Sequence, residues 1–266
     1  MKLPIYQIDA FTDQVFKGNY AAVIPLDSWL PESLMQSIAT ENNLSETAFF
    51  VHGPDGAYQI RWFSPLKEID FCGHATLASA FVIFKKNKNL TTVRFSAKAV
   101  GSLDVTLLQD SSIEMSFPLR QPEPVETIPA SLLEGLSTRP KEVLKNQQAY
   151  FAVYESEDEV RSVVPHLEKL VQLGPLDVVV TAVGKQHDFV SRYFWPANGG
   201  EEDPVTGSIH AGLAPFWAHK LKKLNLVALQ ASQRSGLLHC RVENDRVYIS
   251  GTAVQYMEGT LDIPAV

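Results

Sequence analysis

Short apolar runs separated by turn residues dominate the first half of the chain. A period of two between apolar residues, or a short apolar run bounded by Gly, Pro or Asn, predicts a β-strand. Around Leu34 and Ile38 the spacing changes to that of one helix face, and a proline in the first turn favours a helix over residues 31–42. The predicted strands cover residues 3–11, 21–25, 47–52, 58–63, 92–97, 102–108 and 112–117.

A second helix is predicted over residues 75–86, directly after Cys72-Gly73-His74. The helix is apolar on nearly every face, through Leu77, Ala80, Phe81, Ile83 and Phe84. A helix with this distribution is typical of a buried position, because no face is suited to water. The pattern therefore predicts a helix enclosed within its own domain.

The second half of the chain repeats this order after a proline-rich segment. Residues 118–131 contain four prolines and no amphipathic period, which predicts a linker. A second apolar helix is predicted over residues 209–221, after a turn at residues 198–200. The strands predicted before it cover residues 149–154, 177–183 and 188–194.

The spacing of the two helix starts predicts two similar halves. Gly73 and Gly207 each precede an apolar helix, and they lie about half of the 266-residue chain apart. We interpret this as an ancient duplication, and a cleft between two such halves is a natural ligand site. The first half would cover residues 1–117, completed by a strand near residues 253–264, and the second would cover residues 132–252.

Composition narrows the class of protein. The chain has 23 Lys and Arg against 30 Asp and Glu, a net charge of −7, which disfavours nucleic-acid or anionic-membrane partners. No apolar run approaches the ~18 residues needed to span a membrane. Cys72 and Cys240 stand in dissimilar contexts far apart, so a disulfide scaffold is not expected. We expect a cytoplasmic protein.

The two helix starts are candidate anion sites. A helix N-terminus carries unsatisfied N–H groups and a positive dipole, so it attracts a carboxylate or phosphate. Gly73 and Gly207 would let a ligand approach the backbone closely. The same residue types also fit ordinary capping, with Ser208 as an N-cap and the glycines in turns. Neither segment matches a nucleotide-binding fingerprint.

Glu46 and His74 are candidates for proton transfer. Glu46 lies where a polar stretch gives way to an apolar strand, and desolvation there raises the pKa of a carboxyl group towards that of a general acid or base. A solvated glutamate at a strand edge is the alternative. His74 could donate a proton, bind a polar group of a substrate or cap the helix.

Three other kinds of site are weaker on sequence grounds. Cys72 could be a thiolate activated by its neighbours or a small buried residue. Ser208, His74 and Asp203 supply the residue types of a hydrolase, but no Gly-x-Ser-x-Gly elbow surrounds the serine. The seven histidines are scattered without zinc spacing, so no metal is predicted.

Taken in order, several segments together resemble the PhzF-like family, the phenazine-biosynthesis isomerases and their relatives. The resemblance runs from near residue 1 to about residue 260, and the ordered set is far more specific than any one motif. The segments are Asp9-Ala10-Phe11, Gly18-Asn19, Asn43-Leu44-Ser45-Glu46-Thr47-Ala48-Phe49, Arg61-Trp62-Phe63-Ser64-Pro65, Cys72-Gly73-His74-Ala75-Thr76-Leu77-Ala78, Glu202-Asp203-Pro204-Val205-Thr206-Gly207-Ser208 and Ser250-Gly251-Thr252-Ala253-Val254.

The resemblance implies an α+β, diaminopimelate-epimerase-like fold. Each half would be a small, mostly antiparallel β-barrel around a central helix, with the active site in the cleft between the halves. Members of this family work without a metal or an organic cofactor and are commonly homodimers. The family's glutamate maps onto Glu46, which the resemblance makes the proton shuttle, while His74, Asp203 and Ser208 fall on supporting positions.

The resemblance also implies a small carboxylate-bearing substrate, held by the helix starts at Gly73 and Gly207 together with Ser208. Ser45 is a weaker candidate for binding it. Ile209 replaces the alanine usual after Gly-Ser, and its bulk could narrow the pocket. Tyr20 replaces the proline usual after Gly-Asn.

Two other functions stay open at this point. Cys72 matches the first catalytic cysteine of related amino-acid epimerases, but Thr206 stands where the second would be. The leading hypothesis is therefore a cofactor-independent isomerase that uses Glu46 to move a proton. The alternatives are an epimerase that uses Cys72 and a non-catalytic binding protein that keeps an ancestral cleft.

Overall fold

A computed structural model describes residues 1–263 of the chain. These residues form two compact units, the first from Met1 to Ser116 together with the segment from Ser250 onward, and the second from Phe117 to Ile249. Strands and helices alternate irregularly in both units, so the predicted α+β class is confirmed. No helix in the described residues is both long and apolar enough to cross a bilayer.

The first unit surrounds one helix with strands. Its two α-helices are α1 (Glu32–Asn42) and α2 (Gly73–Lys86). Its strands are β1 (Lys2–Ala10), β2 (Asn19–Leu26), β3 (Glu46–His52), β4 (Tyr58–Phe63), β5 (Glu68–Ile69), β6 (Thr92–Ala97), β7 (Gly101–Leu107), β8 (Ile113–Pro118) and β18 (Ala253–Asp262). The predicted end of the last strand at residue 264 lies outside the described residues.

Helix α2 is buried in this unit, as its apolar faces predict. It packs against β1, β2 and β3, and its side chains from Gly73 to Ala80 are all buried. Two buried hydroxyls are satisfied within the helix, because Thr76 donates to the carbonyl of Cys72 and Ser79 to that of Ala75. The helix begins at Gly73, two residues before the predicted start.

The second unit has its own central helix, α6 (His210–Leu221), one residue shorter at its start than predicted. Its other helices are α3 (Ala130–Glu134), α4 (Glu157–Ser162) and α5 (Leu167–Leu170). Its strands are β9 (Glu123–Pro124), β10 (Glu142–Lys145), β11 (Ala149–Val153), β12 (Asp177–Val183), β13 (Phe189–Phe194), β14 (Glu202–Asp203), β15 (Asn225–Gln230), β16 (Gly236–Glu243) and β17 (Arg246–Gly251).

Residues 118–131, expected as a linker, lie within the second unit. Strand β9 pairs with β10, and α3 begins inside the segment at Ala130. Arg120 is held against α6, because its backbone N–H donates to the carbonyl of Ala211. That carbonyl needs an outside donor, since Pro215 has no N–H to complete the helical hydrogen bond. The segment is therefore packed within the second unit.

The two units repeat one order of strand pairing. In the first, β1–β2 is antiparallel, β2–β3 parallel, β3–β4 antiparallel, β4–β6 parallel and β6–β7 antiparallel. The second unit has the same alternation of antiparallel and parallel pairs, in the order β10–β11, β11–β12, β12–β13, β13–β15 and β15–β16. A two-residue strand precedes the buried helix in both units. The two predicted halves are therefore structural repeats.

The repeat also equates individual positions. Ala21 pairs with Glu46 at the start of β3, and Ala149 pairs with Asp177 at the start of β12. Both strands that begin with these acids have seven residues. Asp177 is thus the counterpart of Glu46 in the second unit.

Gly18 offers a test of the backbone before β2. Gly18 has φ of +64°, and a Cβ there would overlap the carbonyl oxygen of Ala10. We therefore expect Gly18→Ala to lower the free energy of unfolding by about 2–5 kcal/mol. Gly56→Ala is the matched control, because Gly56 has φ of +82° but open space around it, and it should cost at most about 1–2 kcal/mol. Urea denaturation measures both, and equal losses would contradict the overlap.

Candidate functional site

A buried carboxylate and a buried imidazole meet inside the first unit. Glu46 is the first residue of β3, and His74 is the second residue of α2. Oε2 of Glu46 lies 2.9 Å from Nε2 of His74, and the two side chains are 8% and 6% exposed. Parallel pairing of β3 with β2 and packing of α2 against both strands bring the two residues together. Sequence reasoning selected both residues, and the structure shows them to be partners.

The groups that face His74 shift the pKa of its imidazole. Burial works to lower the pKa of His74, but the negative charges that face it, an ionised Cys72 and Glu46, raise the pKa well above its ordinary value. Burial raises the pKa of the Cys72 thiol to about 11, and the Glu46 charge adds to this shift. Cys72 is therefore a neutral thiol at pH 7, and Glu46 is the charge that favours the imidazolium form there.

Asn19 holds the other side of the His74 ring. Its side-chain amide lies 3.1 Å from Nδ1 of His74, and its Oδ1 accepts a hydrogen bond of 3.3 Å from the hydroxyl of Ser45. As the amide is drawn, Nδ2 donates to an unprotonated Nδ1; rotated by 180°, the amide would accept from a protonated Nδ1. Asn19 can therefore support either protonation state of the imidazole. Its residue type carried no sequence signal for this role.

Cys72 completes the cluster around the imidazole. It is the N-cap residue of α2, with its Sγ 3.5 Å from Nδ1 and 3.8 Å from Nε2 of His74. The ligand atoms of Glu46, Cys72 and His74 all lie within 4.8 Å of one another, so these three side chains could hold a metal ion. The sequence indicated the Cys72-His74 pair but gave no means of adding Glu46 to it.

Gly73 stands at the N-terminus of α2, next to this cluster. The backbone N–H groups of the first turn lie in the part of a helix where intrahelical acceptors are lacking. In the part of the chain that the structure describes, the side chain of the N-cap residue makes no capping hydrogen bond to this end of the helix. The helix start that the sequence predicted as an anion site therefore adjoins Glu46 and His74 directly.

Asp203 lies in a separate cluster in the second unit. Its Oδ2 accepts a hydrogen bond of 2.5 Å from the hydroxyl of Thr206. The buried amide of Gln230 donates to the Asp203 carbonyl and lies 3.2 Å from the Thr206 hydroxyl, while its Oε1 accepts from the Thr206 N–H. Gln230 thereby fixes the backbone just before Gly207. The sequence did not indicate Gln230.

Ser208 ends a chain of side-chain hydrogen bonds that starts at Asp177. The Tyr193 hydroxyl donates to Asp177 at 2.6 Å, and the Gln148 amide spans 3.1 Å to that hydroxyl and 2.9 Å to the Ser208 hydroxyl. Burial raises the pKa of Asp177, although hydrogen bonds from Tyr193 and Asn198 work against this shift. None of Asp177, Tyr193 and Gln148 was singled out from the sequence.

The predicted capping role of Ser208 is wrong. Helix α6 begins at His210, its N-cap residue is Ile209, and a tight turn runs from Gly207 into it. Ser208 accepts a hydrogen bond from Gln148, and Asp203 accepts one from Thr206. Both residues instead sit in polar networks just before the helix.

A cavity of about 660 Å³ in the first unit is lined by other residues, Arg61 and Trp62 among them. The Arg61 guanidinium lies 2.7 Å from Glu32 and 2.6 Å from Glu68. Because two carboxylates neutralise it, this arginine offers little to an anionic ligand. The cavity therefore adds no second candidate for the site.

The fold places the protein in a structural class. A hydroxyproline epimerase from Agrobacterium vitis shares the fold, with a TM-score of 0.64 at 10% identity over 98% of this chain and 91% of that one. The predicted diaminopimelate-epimerase-like fold, with two similar halves, is confirmed.

Closer comparisons show the family. The family model for phenazine biosynthesis-like proteins matches residues 8–259. An uncharacterized isomerase of Pseudomonas aeruginosa is 48% identical over 263 residues, covering 99% of this chain and 100% of that protein. A crystal structure of a phenazine biosynthesis protein of the PhzF family from Enterococcus faecalis has a TM-score of 0.94 at 43% identity, covering 99% of this chain and 100% of that one. The chain belongs to the PhzF-like family of phenazine biosynthesis-like proteins.

The Glu46–His74 contact predicts how the pKa of His74 responds to mutation. In Glu46→Gln the carboxylate charge is lost while burial persists, so the pKa of His74 should fall. NMR titration of the imidazole measures this, with His74→Gln to assign the resonance. Glu41→Gln, a change at an exposed residue of α1, should leave the pKa unchanged. An unchanged value in Glu46→Gln would contradict the pairing.

Proposed function

We propose that the protein is a cofactor-independent isomerase that moves a proton on a small carboxylic acid, with Glu46 as the general acid and base. The observation that carries this proposal is the 2.9 Å contact between the buried Glu46 carboxylate and His74. Membership of a family whose relatives are named isomerases agrees with it. A proton shuttle needs a carboxylate kept from bulk water, and the Glu46 side chain is 8% exposed.

In this proposal Glu46 accepts a proton from an acidic C–H of the substrate. The bonding electrons stay on the substrate as a delocalised carbanion, and the protonated Glu46 returns the proton to a nearby carbon. Atoms and charge balance over the cycle, because the same carboxyl group takes and gives the proton. His74 holds Glu46 in place through their 2.9 Å contact.

The substrate carboxylate would bind at the N-terminus of α2, where Gly73 lies beside the proton shuttle. Backbone N–H groups and the helix dipole favour an anion at this end. Ser45, one residue before Glu46 and hydrogen-bonded to Asn19, could contact another polar group of the substrate. These assignments supply an acidic protein with a local site for a small anion.

The second unit would contribute binding groups to the same substrate, as the family resemblance implies for a cleft between the halves. Ser208 and Gly207 would hold polar groups of the substrate, with Asp203 assisting proton transfer. The support within the second unit is that Gln148 and Gln230 hold these positions through hydrogen bonds. The resemblance also implies a homodimer, which sedimentation equilibrium would test.

A Cys72-dependent epimerase is the second enzymatic hypothesis. Its supporting observation is the short distance of 3.5 Å between the thiol and the His74 ring. Against it stands the pKa of Cys72, raised by burial to about 11, because a base at neutral pH needs the thiolate. The raised pKa of Cys72 therefore favours Glu46 over Cys72 as the group that moves the proton.

The main test uses solvent-deuterium exchange into a panel of small amino, hydroxy and unsaturated carboxylic acids. Glu46→Gln should reduce incorporation at least about 100-fold, because a positioned general base contributes 10²–10⁴-fold. NMR or mass spectrometry of the acids measures it. Glu41→Gln is the matched control and should exchange like the wild type, since Glu41 is exposed in the last turn of α1.

Two results would count against the proposal. Deuterium exchange that persists in Glu46→Gln would mean that Glu46 is not the general acid and base. Wild-type protein that exchanges none of the acids would favour a binding protein with an inactive cleft, above all if one of the acids binds without exchange.

A companion experiment separates the two enzymatic hypotheses. Cys72→Ser should keep exchange within about tenfold of the wild type, because a neutral thiol is not the base. If the epimerase hypothesis holds, Cys72→Ser should instead reduce exchange as strongly as is expected for Glu46→Gln. Thermal unfolding of the variant shows whether a loss reflects chemistry or misfolding.

A further inference from the structure

Glu46, Cys72 and His74 combine three kinds of metal ligand in one buried cluster. A carboxylate oxygen, a thiol sulfur and an imidazole nitrogen all lie within 4.8 Å of one another. We propose that these side chains form a binding site for one thiophilic divalent cation such as Zn²⁺, and that occupancy of this site blocks the proton shuttle.

Two of the ligand-atom spacings, sulfur to nitrogen and nitrogen to oxygen, are close to those of a tetrahedral zinc site. With bond lengths of about 2.3 Å to sulfur and 2.0–2.1 Å to nitrogen and oxygen, tetrahedral ligands lie about 3.6 Å (S to N) and about 3.3 Å (N to O) apart. Nε2 of His74 is 3.8 Å from the Cys72 sulfur and 2.9 Å from Oε2 of Glu46. The sulfur also lies 3.5 Å from Nδ1, so binding of an ion at Nε2 requires the Cys72 thiol to turn away from Nδ1.

The site has support beyond its ligands. Metal-bound histidines use the second ring nitrogen in a hydrogen bond that orients the ring. Asn19 occupies that position at Nδ1, 3.1 Å away, and Ser45 in turn contacts Asn19. Turned with its oxygen towards the ring, the Asn19 amide accepts the Nδ1 proton and leaves Nε2 for the metal.

Charge balance also permits an ion at this depth. Binding replaces the thiol proton, and Nε2 gives up its proton to solvent if it carries one. A doubly charged cation with a thiolate and a carboxylate then leaves the cluster neutral, with a neutral imidazole. Three protein ligands leave a fourth position for water or a substrate group. Glu46 bonded to the metal cannot accept a proton, and this inhibition, unlike binding itself, rests on the proposed function.

Cobalt(II) provides a direct test, because a cobalt–thiolate bond gives a charge-transfer absorption band. Tag-free, full-length protein freed of metal with a chelator should bind one equivalent of Co²⁺ with this band, and Zn²⁺ should abolish it. Cys72→Ala should lose the band. Cys240→Ala is the matched control and should keep it, because Cys240 is the other buried, free cysteine and lies in the second unit.

A variant outside the ligand set tests the supporting role of Asn19. Asn19→Ala should keep the charge-transfer band but bind Co²⁺ about 10–100-fold more weakly. If Cys72→Ala unfolds, Cys72→Ser replaces it, because serine keeps the size of the side chain and removes the thiolate. No band in the wild type, a band that survives loss of the Cys72 thiol, or a band lost in Cys240→Ala would each overturn the site.

The inhibition has its own readout. Zn²⁺ at one equivalent should suppress wild-type deuterium exchange, and an intact cobalt band with unsuppressed exchange would overturn the proposed competition. The two proposals fail separately. Persistent exchange in Glu46→Gln would remove the role of Glu46 without affecting the cobalt band, whereas absence of the band would leave the exchange assay unaffected.

Discussion

The buried contact between Glu46 and His74 is the constraint on which the first unit depends. Two ionisable groups that are almost fully buried must compensate each other, because either charge alone would be costly. Their contact requires α2 to run through the middle of the unit with its first turn against β3. The apolar faces of α2 meet the same requirement, since the helix can be buried on all sides.

Besides burial, two electrostatic effects act on a protonated His74, and their sizes can be compared. The N-terminus of α2 disfavours a cation by about 0.3–1 kcal/mol. A carboxylate at 2.9 Å favours it by about 6 kcal/mol, even with an effective dielectric constant of about 20. The carboxylate therefore outweighs the helix dipole. The stability it contributes is fully present below the ordinary histidine pKa of about 6.5 and is lost as the pH rises through the raised pKa.

Sequence reasoning was most successful where a single periodicity or motif sufficed. The apolar faces of α2 and α6, and the repeat marked by Gly73 and Gly207, follow from local patterns. Short elements were missed, because helices of four to six residues, such as α4 and α5, do not complete an amphipathic period. The partners of the site residues were missed for another reason: Asn19, Gln148 and Gln230 are reached only through tertiary packing, and amides are common in turns and on surfaces.

One feature of the connectivity governs how the chain can assemble during synthesis. The second unit is inserted between β8 and β18, and β1 pairs along its length with β18, from Lys2 opposite Asp262 to Ala10 opposite Ala253. At about 5–20 residues per second, a ribosome needs roughly 12–50 s to make the intervening chain. The second unit is therefore complete while β1 still lacks one neighbour. For that interval the outer edge of β1 is exposed to pairing with other chains, and this segment is where chaperone binding would matter most.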